Sequence, residues 1–171
     1  MTQLRILVTG SREWRDYATI RSDLLALLQL STTGTPVLIQ GGQVSRDKGT
    51  GERFGADYLA KKAWQDISDE SGFQSLHEEV RADWTGPCDL TCTRNHRRPS
   101  RGGGTYCPAA GPRRNARMVT EHKPTHALAY PLGDSAGTND CLRHLRAAGV
   151  PVKVWEPSSR PTLRLVHGGA L

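Results

Sequence analysis

The sequence lacks an apolar segment long enough to cross a bilayer. Its longest apolar stretch, Leu24 to Leu30, is interrupted by Gln29 and falls far short of the roughly 20 residues that a membrane-spanning helix needs. The first five residues contain a single basic side chain, Arg5, and lead directly into a strand-like segment, so we expect no signal peptide. These features predict a cytoplasmic protein that does not enter a membrane.

Two common phosphate-binding motifs are also missing from the sequence, and one segment contains very few acidic residues. The sequence has neither Gly-x-Gly-x-x-Gly nor Gly-x-x-x-x-Gly-Lys-[Ser/Thr], which disfavours ordinary dinucleotide oxidoreductases and P-loop ATPases. Between Gly86 and Met118 there are seven arginines and one acid, Asp89, while the other 16 basic and 16 acidic residues balance. The net charge of +6 is therefore a local feature of this segment.

Short apolar segments alternate with helical patterns along most of the chain. We predict strands at residues 4–8, 37–39, 73–80, 125–130 and 150–155, with 163–166 as either an edge strand or a loose segment. We predict helices that begin at Asp16, near Ala56, at Pro112 and near Gly137. This alternation indicates an α/β fold, doubly wound, with a mainly parallel sheet and helices on both faces. The length of 171 residues suits a single domain, with a loop insertion at about 86–111.

Three glycine-bearing turns follow predicted strands, at Gly10, at Gly41-Gly42 and at Gly137. Because parallel strands end at the same edge of a sheet, these turns should meet at the carboxyl edge. Glycine lets the backbone approach a phosphate closely, and the following helix N-terminus favours negative charge. The polar neighbours that we predict to bind the ligand with these glycines are Thr9, Ser11, Arg12 and Thr138.

Several short motifs then follow one another in a recognisable order. They are Thr9-Gly10-Ser11-Arg12-Glu13-Trp14, Gly41-Gly42 with Gly55-Ala56-Asp57, Ala82-Asp83-Trp84, Arg114-Asn115 with Met118, and Gly137-Thr138. Over residues 4 to about 154 the sequence resembles the YspA-related branch of the SLOG superfamily, which also includes the LONELY GUY phosphoribohydrolases. The resemblance implies a Rossmann-like fold, a homodimer and a site for a nucleotide or nucleotide-derived small molecule. It also implies that Ser11, Gly42, Asp57, Arg114 and Thr138 line that site, and we add Asn115.

The phosphoribohydrolases cleave the N-glycosidic bond of nucleoside 5′-monophosphates and use the glutamate of a Gly-Thr-x-x-Glu element. Here Cys141 stands at the position of that glutamate and Asp140 precedes it. A shift of one residue rotates a helical side chain by about 100°, so Asp140 does not automatically replace it. The candidate catalytic carboxylates are Asp140 and Asp57, because a positioned carboxylate stabilises an oxocarbenium-like transition state. Ligand binding for sensing, sequestration or slow processing is our first prediction, and phosphoribohydrolase activity is the alternative.

The segment between Trp84 and Pro112 has no periodicity, but it groups three cysteines and a histidine. Cys88, Cys92, His96 and Cys107 supply three thiolates and an imidazole within twenty residues. In a reducing compartment such a set more often binds metal than forms disulfides, and Cys₃His is the donor set of a structural zinc site. Free surface thiols or a Cys88–Cys92 redox pair are the alternatives. Cys141 lies apart and is predicted to be a small core residue.

The arginines of this segment allow two interpretations. Arg114 is the best placed to hold a ligand phosphate, whereas Arg94, Arg97, Arg98 and Arg101 suit a nucleic-acid backbone. Nucleic-acid binding through the basic loop is thus a further alternative, beside a merely solvated loop. Of the four tryptophans, Trp64 and Trp155 suit the core, while Trp14 and Trp84 follow predicted strands. We predict that Trp14 stacks on a ligand base.

Overall fold

Five parallel strands form the main sheet of the protein. The computed structural model describes residues 3–30, 33–90, 92–100 and 102–155. The strands of the main sheet are β1 (Arg5–Gly10), β2 (Val37–Gln40), β5 (Leu76–Glu79), β8 (His126–Tyr130) and β9 (Val152–Val154). They lie in the order β5-β2-β1-β8-β9, and every neighbouring pair is parallel. The described residues also form two antiparallel pairs of two-residue strands, β3 (Ser45–Arg46) with β4 (Arg53–Phe54) and β6 (Arg98–Pro99) with β7 (Thr105–Tyr106).

Within the described ranges, four helices cover the two faces of the sheet: α1 (Tyr17–Leu28), α2 (Ala56–Ser71), α3 (Ala110–Thr120) and α4 (Ala136–Ala147). Successive strand residues point to opposite faces, so β1 sends Ile6 and Val8 to α1 and α2. Its intervening Leu7 packs with Met118 of α3 and Leu145 of α4. The chain is therefore a Rossmann-like, doubly wound α/β protein, which confirms the predicted fold class. No helix in the described ranges is long and apolar enough to cross a membrane.

The predicted elements are found with shifted boundaries. The first helix begins at Tyr17, one residue after the prediction, and Asp16 is its N-cap, since its side chain accepts a hydrogen bond from the Thr19 amide. The third helix begins at Ala110, two residues before the prediction, so Pro112 occupies the third helical position. This is still within the first turn, where a missing N–H breaks no intrahelical bond. The last strand lies at the sheet edge and is only half-buried, so it is not a core strand. The segment 163–166 lies outside the described residues.

The order of the strands creates a crevice at one place. The chain leaves β1 toward α1 on one face, whereas it leaves the adjacent β8 toward α4 on the other face. Because these two connections diverge, a gap opens at the carboxyl ends of β1 and β8. This gap positions the candidate site.

Candidate functional site

A polar cleft of about 430 Å³ occupies this crevice. The cleft lies where the turns after β1, β2 and β8 meet the N-terminal parts of α2, α3 and α4. Of the residues predicted from sequence, it gathers Thr9, Gly10, Ser11, Arg12, Gly41, Asp57, Arg114, Asn115, Gly137 and Thr138. The convergence expected for the three glycine turns is therefore present. Sequence reasoning missed Gln43, Leu132, Asp134 and Ser135, although the last three directly follow a predicted strand.

The first turn of the cleft needs glycine at position 10. A Cβ atom there would lie 2.5 Å from the Cβ of Ala56 and 2.8 Å from the carbonyl oxygen of Tyr130. The turn that follows is closed by Ser11, whose amide donates to Tyr130 O and whose Oγ accepts from the Glu13 amide. Gly10 thus lets β1, β8 and the start of α2 pack closely, which fixes the cleft floor.

Arg114 of α3 extends toward the second turn. A Cβ atom at Gly41 would overlap the Arg114 guanidinium and would lie 2.9 Å from Oδ2 of Asp57. The guanidinium donates one long hydrogen bond, from Nη1 to Val80 O at 3.5 Å. Among the buried polar side-chain atoms of the described residues, Nε of Arg114 is without a hydrogen-bond partner. Buried polar groups are normally paired, so the guanidinium retains unused donor capacity at the cleft.

Asp57, at the start of α2, supplies the buried carboxylate of the cleft. Its side chain is 7% exposed, and Oδ2 accepts a hydrogen bond of 3.1 Å from the Gln43 amide. Desolvation by burial raises the pKa of Asp57 to about 6, although the amides of Gln43 and Gly41 and the charge of Arg114 oppose the rise. A carboxyl group that titrates near pH 6 can donate or accept a proton at physiological pH.

The third turn leads into the N-terminus of α4. The N-cap residue Ser135 makes no side-chain hydrogen bond to the helix backbone, and its Oγ lies 2.8 Å from Oγ1 of Thr138. An added Cβ at Gly137 would meet no atom within 4 Å, so this turn is open toward the cleft. Asn115 of α3 holds the turn in place by donating to Gly137 O at 3.1 Å. The first N–H groups of α4 are thus available to an anion.

Asp140 does not belong to the cleft. It lies on α4 outside the lining residues, where Oδ2 accepts from Asn115 at 3.0 Å and Oδ1 pairs with Arg143 at 2.6 Å. The geometry therefore does not support the predicted catalytic role of Asp140, which instead connects α3 and α4. Cys141 is fully buried, as predicted, and burial raises the pKa of its thiol to about 11.

The prediction that Trp14 stacks on a ligand base is wrong. The side chain is only 2% exposed and packs in the core against Tyr130 and Trp155, with ring centroids 5.0 and 4.5 Å away. Its Nε1 donates to the Asp16 carbonyl. Both its apolar surface and its donor are thus used within the fold.

Gly42 also lies apart from the main cleft. It has a positive φ of 73° and lines a neighbouring depression of about 210 Å³, which shares Gln43 and Asp57 with the cleft. Glycine is favoured here because the backbone is left-handed and the Glu79 side chain is close.

The predicted metal ligands form a second cluster. Single ligand atoms of Cys88, Cys92, His96 and Cys107 all lie within 4.8 Å of one another. His96 Nδ1 is 2.6 Å from the Thr93 carbonyl, which only accepts hydrogen bonds, so Nδ1 carries the proton. The unprotonated Nε2 lies 3.2 Å from the sulfurs of Cys88 and Cys107, on the side where a metal would bind. The cluster is compatible with a metal ion.

Two arginines donate hydrogen bonds to the sulfurs of this cluster. Arg113 Nη1 lies 3.1 Å from Cys92 Sγ, and Arg97 Nη1 lies 3.3 Å from Cys88 Sγ. Although desolvation opposes it, hydrogen bonding to His96 and Cys92 lowers the pKa of Cys107 to about 6. Burial and the neighbouring Cys107 raise the pKa of Cys92, so these surroundings favour the metal-binding thiolate form at Cys107 but not at Cys92. The role of Arg113 was missed, and its position six residues after Cys107 was the available signal.

These contacts also reduce the number of arginines available to a nucleic acid. Arg97 additionally donates to the carbonyls of Gly86, Thr85 and Thr105, so its guanidinium is occupied within the segment. Arg113 pairs with Asp89 at 3.3 Å, and Arg117 pairs with Glu121 at 3.4 Å. Arg94 and Arg98 are exposed. Arg101 lies outside the described residues.

Fold and sites together define a Rossmann-like α/β protein with a polar cleft at its switch point and a Cys₃His cluster beside it. No family model matches the chain. It is 32% identical over 148 residues to the Gene 61 protein of Mycobacterium phage D29, an alignment that covers 86% of this chain and 93% of the phage protein. The chain therefore belongs to the family of that phage protein.

Proposed function

We propose that the cleft binds the phosphate of a nucleotide or nucleotide-derived small molecule. The observation that carries this proposal is the Arg114 guanidinium, which lines the cleft with one long hydrogen bond and an unpaired Nε. A guanidinium recognises phosphate through paired N–H donors, and the open N-terminus of α4 adds backbone N–H groups and a favourable dipole. The resemblance to the SLOG superfamily supports the same ligand class.

Isothermal titration calorimetry of the zinc-loaded protein tests this proposal. The titrants are the four common nucleoside 5′-monophosphates, with adenosine and inorganic phosphate as partial ligands. We expect at least one monophosphate to bind, and Arg114→Ala to weaken it roughly 10- to 100-fold, the range for a lost charge-assisted hydrogen bond. Arg117→Ala, on the outer face of the same helix, is the matched control. Absence of binding at millimolar concentration, or equal binding by Arg114→Ala, would contradict the proposal.

A second candidate function is hydrolysis of the N-glycosidic bond in a nucleoside 5′-monophosphate. The observation that favours it is Asp57, a cleft carboxyl group whose pKa burial raises to about 6. In this role Arg114 holds the phosphate and Asp57 stabilises positive charge on the ribose. Chromatographic detection of free base from each monophosphate measures this activity directly.

The cofactor that we propose for the Cys₃His cluster is zinc. Three thiolates and one imidazole form a closed tetrahedral donor set that zinc prefers, and such sites stabilise folds. Zinc would supply a structural cross-link here, because the four residues exhaust its usual coordination number and leave no position for water or substrate.

Nucleic-acid binding through the basic segment is the less favoured proposal. Arg97 and Arg113 make contacts within the segment. Among the described arginines outside α3, the exposed Arg94 and Arg98 are then the ones available to contact a nucleic acid. We expect a short single-stranded oligonucleotide to bind weakly, if at all, between 50 and 200 mM salt. Tight binding that falls steeply with salt and is lost in an Arg94→Ala/Arg98→Ala variant would favour this function instead.

A further inference from the structure

The Cys₃His cluster and the cleft are connected through the start of α3. Cys107 is the last cluster residue, and α3 begins three residues later. The N-cap residue Ala109 provides no side-chain hydrogen bond to the helix backbone. Instead, the Ala110 amide donates to the carbonyl of Cys107 at 3.1 Å, and the Cys107 amide donates to Trp84 O at 2.8 Å. The first turn of α3 is therefore held by a residue of the cluster.

A side-chain contact makes the same connection one turn further on. Arg113 donates from Nη1 to Cys92 Sγ at 3.1 Å and from Nη2 to Cys107 Sγ at 3.5 Å. Two sulfurs on separate parts of the segment are thus joined to one guanidinium of α3. Such outer contacts to metal ligands orient the ligands and are in turn oriented by them.

Arg114 is the next residue, and its side chain extends to the other site. Consecutive helical side chains diverge by about 100°, so α3 directs Arg113 to the sulfurs and Arg114 over Gly41. The rotation and height of this first turn therefore set where both guanidinium groups lie.

The segment between β5 and α3 is held by polar contacts, such as those of Arg97 with the Gly86 and Thr105 carbonyls, and by little apolar packing. Its secondary structure within the described residues is the two-residue pair β6–β7, and Leu90 is fully exposed. Its fixed aromatic contact is between Trp84 and Tyr106, with ring centroids 6.2 Å apart. A segment with so little buried apolar surface orders mainly through its metal.

We infer that zinc in the Cys₃His cluster positions Arg114, so that metal occupancy sets the affinity of the cleft for a phosphate-bearing ligand. Arg113 is the positioning residue of this link. The inference rests on the proposed function of the cleft. Binding linkage is reciprocal, so the ligand must raise the affinity for zinc by the same factor that zinc raises the affinity for the ligand. Couplings of this kind typically amount to about 5- to 150-fold.

Calorimetry with the nucleoside 5′-monophosphate identified above measures the coupling on one preparation in three states: zinc-loaded, chelator-stripped and reloaded. We expect stripping to weaken binding at least about tenfold and reloading to restore it. Arg113→Ala, with its zinc content verified as stoichiometric, should weaken binding several-fold, and Arg113→Lys, which keeps one N–H donor to sulfur, should recover part of the loss. Arg117→Ala should behave as wild type.

A zinc-competition titration, with and without the same nucleotide, provides a readout that remains interpretable if the stripped protein unfolds. The inference predicts that the nucleotide tightens zinc binding, and that Arg114→Ala abolishes this tightening while leaving zinc binding itself intact. The inference alone is overturned if the nucleotide binds wild type through Arg114 but zinc removal and Arg113→Ala leave its affinity unchanged. If no nucleotide binds the zinc-loaded wild type, the proposed function and the inference are both overturned.

Discussion

The guanidinium of Arg114 lies in the space that a side chain at position 41 would fill, and only glycine leaves that space free. Nη1 of Arg114 lies where a Cβ atom of residue 41 would be, and Oδ2 of Asp57 lies 2.9 Å from that position. The turn after β2 and the third helix therefore meet through a guanidinium rather than through apolar packing. This places the guanidinium that we propose to bind phosphate directly on the backbone of a glycine turn.

Replacing Gly41 by alanine should weaken ligand binding while leaving the stability of the fold nearly unchanged. The added methyl group meets the end of the long Arg114 side chain and Oδ2 of Asp57, and residue 41 does not have a positive φ, so the fold can accommodate it once these side chains shift. The guanidinium must move, so we expect a thermal midpoint close to wild type and a loss of roughly tenfold or more in nucleoside 5′-monophosphate affinity. Calorimetry and thermal unfolding measure the two effects.

Gly102→Ala is the matched control for this substitution, because an added Cβ there meets no atom within 4 Å. It should leave both quantities unchanged. Wild-type affinity in Gly41→Ala would show that the position of Arg114 over the glycine does not matter to the ligand.

The buried carboxyl group of Asp57 should make stability depend on pH in one defined window. Its pKa in the folded protein is raised from 3.8 to about 6, so the native state binds more protons than the unfolded state between these values. The contribution of Asp57 to stability should therefore fall as pH rises from about 4 to about 6 and then stay level, by an amount on the order of 3 kcal/mol.

Urea unfolding of wild type and Asp57→Asn across this range measures the effect. The other carboxyl groups are present in both proteins, so the difference between the two pH profiles isolates the contribution of Asp57. The variant should lack the part of the pH dependence that comes from Asp57. Parallel profiles would mean that Asp57 titrates at its ordinary value, which carbon-detected NMR of the carboxyl group would confirm independently.

The two carboxylates considered for catalysis should behave differently. Asp140 is engaged by Asn115 and Arg143 outside the cleft, whereas Asp57 lines it. If the protein releases base from a nucleoside 5′-monophosphate, Asp57→Asn should reduce the rate by about 100-fold or more, while Asp140→Asn should retain it within a few-fold. Single-turnover assays at saturating nucleotide measure the rates. The reverse pattern would assign the chemistry to Asp140.

The cluster cysteines should differ from the core cysteine in metal content. The Cys107 sulfur lies within 4.8 Å of the ligand atoms of its three partners, whereas Cys141 of α4 is buried against the sheet. Cys107→Ser should lose stoichiometric zinc and unfold at a lower temperature, because metal binding contributes directly to folding. Cys141→Ala should keep one zinc ion per chain, as measured by inductively coupled plasma mass spectrometry. Full zinc content in Cys107→Ser would exclude this residue as a ligand.

Those parts of the site that depend on strand order could be predicted from the sequence. Gly10, Gly41 and Gly137 each follow a buried strand, and parallel strands end at one edge, so their convergence did not need coordinates. The grouping of Cys88, Cys92, His96 and Cys107 was predictable because the four lie within one short segment. Both conclusions require only local pattern and topology.

The side-chain environments that could not be predicted depend on partners that only the folded chain brings together. Trp14 follows a strand, as a ligand-stacking residue would, but Tyr130 at the end of β8 and Trp155, directly after β9, enclose it. Asp140 lies two residues beyond the cleft residue Thr138, and its contacts with Asn115 and Arg143 become visible only in the folded structure. Arg97 donates to three loop carbonyls whose arrangement no periodicity encodes.

Native mass spectrometry of the protein purified without chelator tests the central claim most directly. It reports bound metal, co-purified ligand and oligomeric state in one spectrum. The account predicts one zinc ion per chain with a nucleotide-sized adduct on wild type, and zinc without the adduct on Gly41→Ala. A metal-free wild-type chain with no adduct, which also fails to shift on addition of nucleoside 5′-monophosphates, would contradict both the zinc site and the phosphate-binding cleft.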